Sequence, residues 1–132
     1  MPREIIVSKE RDIAELLSKS YPAGTILFEE NEPGSRMYII RSGCVQIFRQ
    51  VAGREFTLAT LKQGDFFGEM ALLEKLPRSA SARLLEDSVL LEIEVDTFDK
   101  MIRNNSEIAL RIMRKMASRV RELDLRVQRL LI

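Results

Sequence analysis

Five glycines, at positions 24, 34, 43, 53 and 64, cut the middle of this chain into short runs of nearly equal length. The runs are rich in β-branched, aromatic and aliphatic residues: 25–29, 36–41, 44–50, 55–61, 79–85 and 89–95. Several alternate apolar with polar, as in Val45-Gln46-Ile47-Phe48-Arg49, so that one face of an extended segment is buried and the other wet. Short strands at roughly ten-residue spacing between turn signals are the pattern of a sandwich or barrel. The expected fold is therefore mainly β, an antiparallel jelly roll (double-stranded β-helix) over 24–95 with flanking helices. Asn31-Glu32-Pro33-Gly34 and Val51-Ala52-Gly53-Arg54 read as hairpin-type turns. The aromatic rings of Tyr38, Phe56 and Phe66 are expected in the core rather than at a ligand.

The flanks carry a different period. Residues 8–20 read as an N-terminal helix, with Ile13, Leu16 and Leu17 on one face and Ser8 able to cap it. Tyr21-Pro22-Ala23-Gly24 breaks it. Residues 96–132 read as C-terminal helices: Asp96 can cap a helix over 97–103, and Ser106 starts a long one over 106–131 with Glu107 in its first turn. Ala109, Met113, Met116, Val120, Leu123, Val127 and Leu130 are spaced alternately by four and three. That is a heptad seam over about three heptads, which suits a coiled coil and a homodimer formed through this helix. Arginines and acids occupy the other positions, as on a solvated helix face.

The most informative stretch is 66–82, which reads Phe-Phe-Gly-Glu-Met-Ala-Leu-Leu-Glu-Lys-Leu-Pro-Arg-Ser-Ala-Ser-Ala. Gly68 has no Cβ, so an anion can come close to the backbone there. Good helix formers follow from Glu69 to Glu74, so a short helix begins at the glycine and presents its unpaired first amides. Pro77 ends it. Arg78 and Ser79 then bring a planar guanidinium and a hydroxyl to the same region. Glu69 sits among these donors and needs a donor of its own, for which a ribose hydroxyl is suited. Taken singly, each residue is explained by a turn, a helix-start acid or an ion pair. Together and in this order they make a phosphate-binding cassette.

Phe67-Gly68-Glu69-Met70-Ala71-Leu72-Leu73 followed by Pro77-Arg78-Ser79-Ala80-Ser81 closely resembles the cassette of the cyclic nucleotide-binding domain family. The resemblance extends to Met37-Tyr38-Ile39-Ile40-Arg41-Ser42-Gly43 and Gly64-Asp65-Phe66-Phe67-Gly68. At position 31, where many members carry glycine, this chain has Asn31, which tolerates a left-handed backbone. The resemblance implies one regulatory domain over 1–132 that binds a 3′,5′-cyclic nucleotide and is not an enzyme. It places phosphate on Gly68, Met70, Ala71, Arg78 and Ser79 and the ribose 2′-hydroxyl on Glu69, with Phe67 and Ala80 flanking them. In the bacterial branch of the family, two adjacent small hydroxyl residues on the long helix read the base amine. Aligning the apolar pattern puts Leu123 and Asp124 there, a departure that leaves the base open. The bacterial resemblance favours cAMP, and cGMP stands as the alternative, as does a dimerisation scaffold with a non-functional pocket.

Composition narrows the alternatives. The chain has 132 residues, no histidine and one cysteine, Cys44. Without histidine, Ser-His-Asp and Cys-His catalysis, histidine haem ligation and most zinc sites are excluded, and no metal is expected. A jelly-roll enzyme of the cupin type would also need such ligands. A net charge of +1 gives no general attraction to nucleic acid or anionic membrane, so no direct nucleic-acid binding is expected. The absence of a long apolar run predicts no membrane insertion, and the lone cysteine fits a cytoplasmic location. Transcription factors of the family continue into a helix-turn-helix domain. The sequence ending at Ile132 leaves no room for one, so the expectation is either a free-standing sensor or a piece of a larger protein.

Overall fold

A computed structural model describes residues 17–131. These fall into two compact units, one up to Val95 and the other from Asp96. The first unit holds eight strands: β1 (Ser18–Tyr21), β2 (Ile26–Phe28), β3 (Arg36–Ser42), β4 (Cys44–Val51), β5 (Arg54–Lys62), β6 (Phe66–Phe67), β7 (Ser81–Leu84) and β8 (Ser88–Glu94). A short helix, α1 (Glu69–Glu74), lies between β6 and β7. The strands form two four-stranded sheets, ordered β1-β8-β3-β6 and β2-β7-β4-β5. Every pairing in both sheets is antiparallel. This is the expected jelly-roll arrangement.

The core lies between the sheets. Tyr38, Ile40, Phe67 and Leu90 come from one sheet and Val45, Ala82 and Leu84 from the other. All seven are almost wholly removed from water, and this burial is the main force holding the sheets together. Tyr38 stacks on Phe67 with ring centroids 5.1 Å apart, and Phe28 lies 6.1 Å from both rings. Glu92 shares this side of its sheet with Tyr38, its register partner. Its buried carboxylate accepts from the Tyr21 phenol and meets Lys19 Nζ at 3.0 Å and Arg36 Nη1 at 3.3 Å. A buried carboxylate needs such donors.

Several expectations need correction. The helix expected over 8–20 lies mostly outside the described residues, and its last three residues form β1 instead. Tyr21↔Ser88 and Ser18↔Leu91 pairing with β8 outweighs a weak local helix signal. Phe56 is not in the core: its side chain is 49% exposed, because β5 is the edge strand of its sheet. Asn31–Gly34 is not a hairpin turn, since β2 and β3 belong to different sheets and the loop carries the chain across. Asn31 does take a left-handed backbone, with φ 72°. The 51–54 turn is a true two-residue hairpin closed by the Val51↔Arg54 pair, with positive φ at both Ala52 and Gly53. The strand expected over 79–85 is trimmed to β7, which leaves Ser79 and Ala80 in the connection from α1.

The second unit consists of α2 (Val95–Asn104) and α3 (Ser106–Leu131). The Asn105 side chain caps α3 by accepting from the Glu107 amide at 3.1 Å. The 26 residues of α3 span about 39 Å.

Candidate functional site

The site is built where β6 hands over to α1. Two residues of β6 pair with Tyr38 and Ile39 of β3, which fixes Gly68 beside the start of β3. Gly68 takes φ 82°, a left-handed value that an L side chain would adopt only with strain, and it caps α1 with no side-chain hydrogen bond. A Cβ on Gly68 would also stand 2.7 Å from Arg78 Nη1 and 3.1 Å from the Arg36 carbonyl oxygen. Glycine is required here for conformation and for space. Glu69 opens α1 with its side chain buried. Ala71 and Leu72 are buried as well, whereas Met70 is exposed.

Arg78 is the centre of the site. It is 5% exposed, yet its hydrogen bonds go to main-chain carbonyls rather than to a carboxylate: Nη1 donates to Gly68 O at 3.2 Å and Nη2 to Arg36 O at 2.8 Å. Its buried Nε has no hydrogen-bond partner among the described residues. The guanidinium carbon lies 4.1 Å from the centroid of the Phe28 ring, in cation–π range. Burial lowers the Arg78 pKa from its ordinary value, and Tyr38, Glu32 and Glu69 oppose that shift. A guanidinium has five N–H donors and is always charged at neutral pH. This arrangement commits two of them to neutral oxygens, which leaves a buried positive charge suited to an anion.

The connection between β2 and β3 holds the Arg78 backbone. The Arg78 amide donates to Glu32 O, and its carbonyl accepts from the Asn31 amide, both at 2.8 Å. Nearby, the Glu30 amide donates to the Ser81 hydroxyl at 2.9 Å.

The structure seats Arg78 against the Gly68 carbonyl, with Glu69 close enough to act on its charge, while Ala71 follows as a buried residue of α1. Ser79 follows with an exposed side chain, and Ala80 is buried. Phe67 differs from the expectation, because its ring belongs to the aromatic core and only its main chain leads into the site. Leu123 and Asp124 lie on α3 in the second unit, with exposed side chains. Sequence reasoning missed Phe28, Gly34 and the Arg36 carbonyl as parts of the Arg78 seat. Arg36 and Arg78 are 42 positions apart, and no local pattern marks their meeting.

A left-handed glycine, a short helix behind it and a buried guanidinium with no carboxylate partner among the described residues stand together on a two-sheet roll. The cyclic nucleotide-binding domain model matches residues 18–105, and the chain belongs to that family. It is 40% identical over 106 residues to the cyclic AMP receptor protein of Thermus thermophilus, a match covering 80% of this chain and 49% of that protein. The crystal structure of the Thermus thermophilus catabolite activator protein superposes with a TM-score of 0.81 at 37% identity, covering 92% of this chain and 59% of the other. An EAL enzyme is similar in both its cAMP-bound form (TM-score 0.63, 32% identity, 80% of this chain and 28% of that one) and its cGMP-bound form (0.64, 33%, 79% and 28%). The chain thus spans about half the length of its Thermus relative.

Proposed function

We propose that this chain is a regulatory sensor module for a 3′,5′-cyclic nucleotide, with cAMP as its ligand, and that it has no catalytic role of its own. The buried Arg78 guanidinium, hydrogen-bonded among the described residues to uncharged oxygens alone, is the observation that carries this reading. Arg78 pairs with the cyclic phosphate, with the main-chain amides from Gly68 to Ala71 as further donors and the Ser79 hydroxyl at the rim. Glu69 accepts from the ribose 2′-hydroxyl. Leu123 and Asp124 remain the candidates for the base, reached from α3, and the signal passes through that helix. The exposed seam of α3 supports a homodimer formed along it, with Met113, Val120, Leu123 and Val127 each more than half exposed. A cytoplasmic location, no metal and no nucleic-acid contact by this chain complete the reading.

The choice of cAMP rests on the Thermus relative's name, and a second reading, cGMP, is kept because the EAL enzyme is known in both bound forms. Calorimetric titration with cAMP and then cGMP tests both. The protein is first unfolded and refolded to strip any nucleotide carried from the expression host. Tighter binding of cAMP is expected. A preference for cGMP would keep the site and overturn the choice of base. No heat with either would overturn the sensor reading in favour of a scaffold.

A further inference from the structure

Gly34 stands in the loop that crosses from β2 to β3, next to the two residues that hold the Arg78 backbone. Its own φ lies outside the left-handed region, so its backbone would accept alanine without strain. What it lacks is room. A Cβ at position 34 would lie 2.3 Å from Arg78 Nε, 2.5 Å from Cζ and 2.9 Å from Nη2. To make room for that Cβ the guanidinium would have to shift from its present seat. Two carbonyls hold its ends, the Phe28 ring lies 4.1 Å from its centre, and the residue is 5% exposed.

From this we infer that Gly34 is a positioning residue for ligand phosphate. It acts through Arg78, by leaving the space that lets the buried fork reach both Gly68 O and Arg36 O. The inference rests on the cyclic nucleotide reading above and adds a residue to it. One loop then performs two tasks on one arginine. Asn31 and Glu32 fix its main chain, and Gly34 leaves the space for its guanidinium.

The test is a four-protein cycle of native chain, Gly34→Ala, Arg78→Ala and the double variant. Each is titrated with cAMP and melted without ligand. Gly34→Ala should weaken cAMP binding at least about tenfold, because a charged hydrogen-bonding group moved by about 1 Å loses much of its effect. It should also lower the melting temperature when Arg78 is present and leave it unchanged in the Arg78→Ala background, where the struck group is gone. Full cAMP affinity in Gly34→Ala, alongside a loss in Arg78→Ala, would overturn the positioning role and leave the cassette reading intact. Full affinity in Arg78→Ala would overturn the cassette reading itself. Equal loss of melting temperature in both backgrounds would show that the loop, not the arginine, meets the new methyl group, and would also overturn the inference. If Gly34→Ala alone fails to fold, the double variant should fold; its failure would overturn the inference too.

Discussion

Arg78 carries a charge into a place where neutral carbonyls are its hydrogen-bond partners, and burying a charge that way is unfavourable. Arg78→Ala is therefore expected to separate function from folding. Binding of cAMP should fall by a factor of about ten to a hundred or more, as for a lost charge-assisted hydrogen bond of about 1.5–3 kcal/mol. The melting temperature without ligand should hold, because the desolvation cost of the buried charge is removed together with the two hydrogen bonds and the ring contact that offset it. Calorimetry and a thermal melt on one preparation check both halves. A second residue-scale prediction concerns Tyr21. Burial, and then its hydrogen bond to Glu92, pushes this phenol from 10 up to about 12. The folded pKa is raised, so the contribution to stability is full below pH 10 and is lost as pH rises from 10 to about 12, where the unfolded chain gives up the proton first. Tyr38, raised chiefly by burial, adds to the same decline. Denaturant titrations across this range should show stability falling in the native chain and falling less steeply in Tyr21→Phe.

At the scale of elements, the β4–β5 hairpin shows how a local choice can oppose the fold. Its two-residue turn needs positive φ at both positions, and Ala52 supplies one of them at φ 53° with a Cβ that disfavours it. Ala52→Asn should stabilise the first unit by about 0.5–1 kcal/mol, read as a higher midpoint in urea with unchanged slope. The turn itself was legible, because Gly53 and its neighbours announce it locally. β1 was not. Residues 18–21 carry no strong strand signal, and they become a strand because β8 offers them an edge to pair with. Phe56 failed in the opposite sense: its alternation is that of a core strand, but the sheet order places it at an edge. Local pattern gives strand positions, whereas neighbours in the sheet decide which faces are covered.

For the whole molecule, the seam of α3 is the feature with the largest consequence. Val120 and Leu123 are each 59% exposed, a poor placement for aliphatic side chains unless another surface covers them. The native chain should sediment as a dimer, and Val120→Glu combined with Leu123→Glu should sediment as a monomer. A native chain already monomeric at micromolar concentration would overturn the coiled-coil reading. No described helix is long and apolar enough to cross a membrane, so this apolar stripe is one face of a charged helix rather than a spanning segment.

The sequence by itself determined the parts that depend on neighbours along the chain. Gly68, the helix after it, Pro77 and Arg78 lie within a dozen residues, and their order already marked them as one local unit. The glycine rhythm specified a roll of short strands, and the heptad specified α3. Only the tertiary structure decided what surrounds the arginine. It brought the Arg36 carbonyl, the Phe28 ring and the open flank of Gly34 to one guanidinium from another part of the roll, and turned the Phe67 ring inward to the core. The physical reason is that backbone conformation and helix capping act over a few residues, whereas packing and the seating of a buried charge depend on strands paired across the fold.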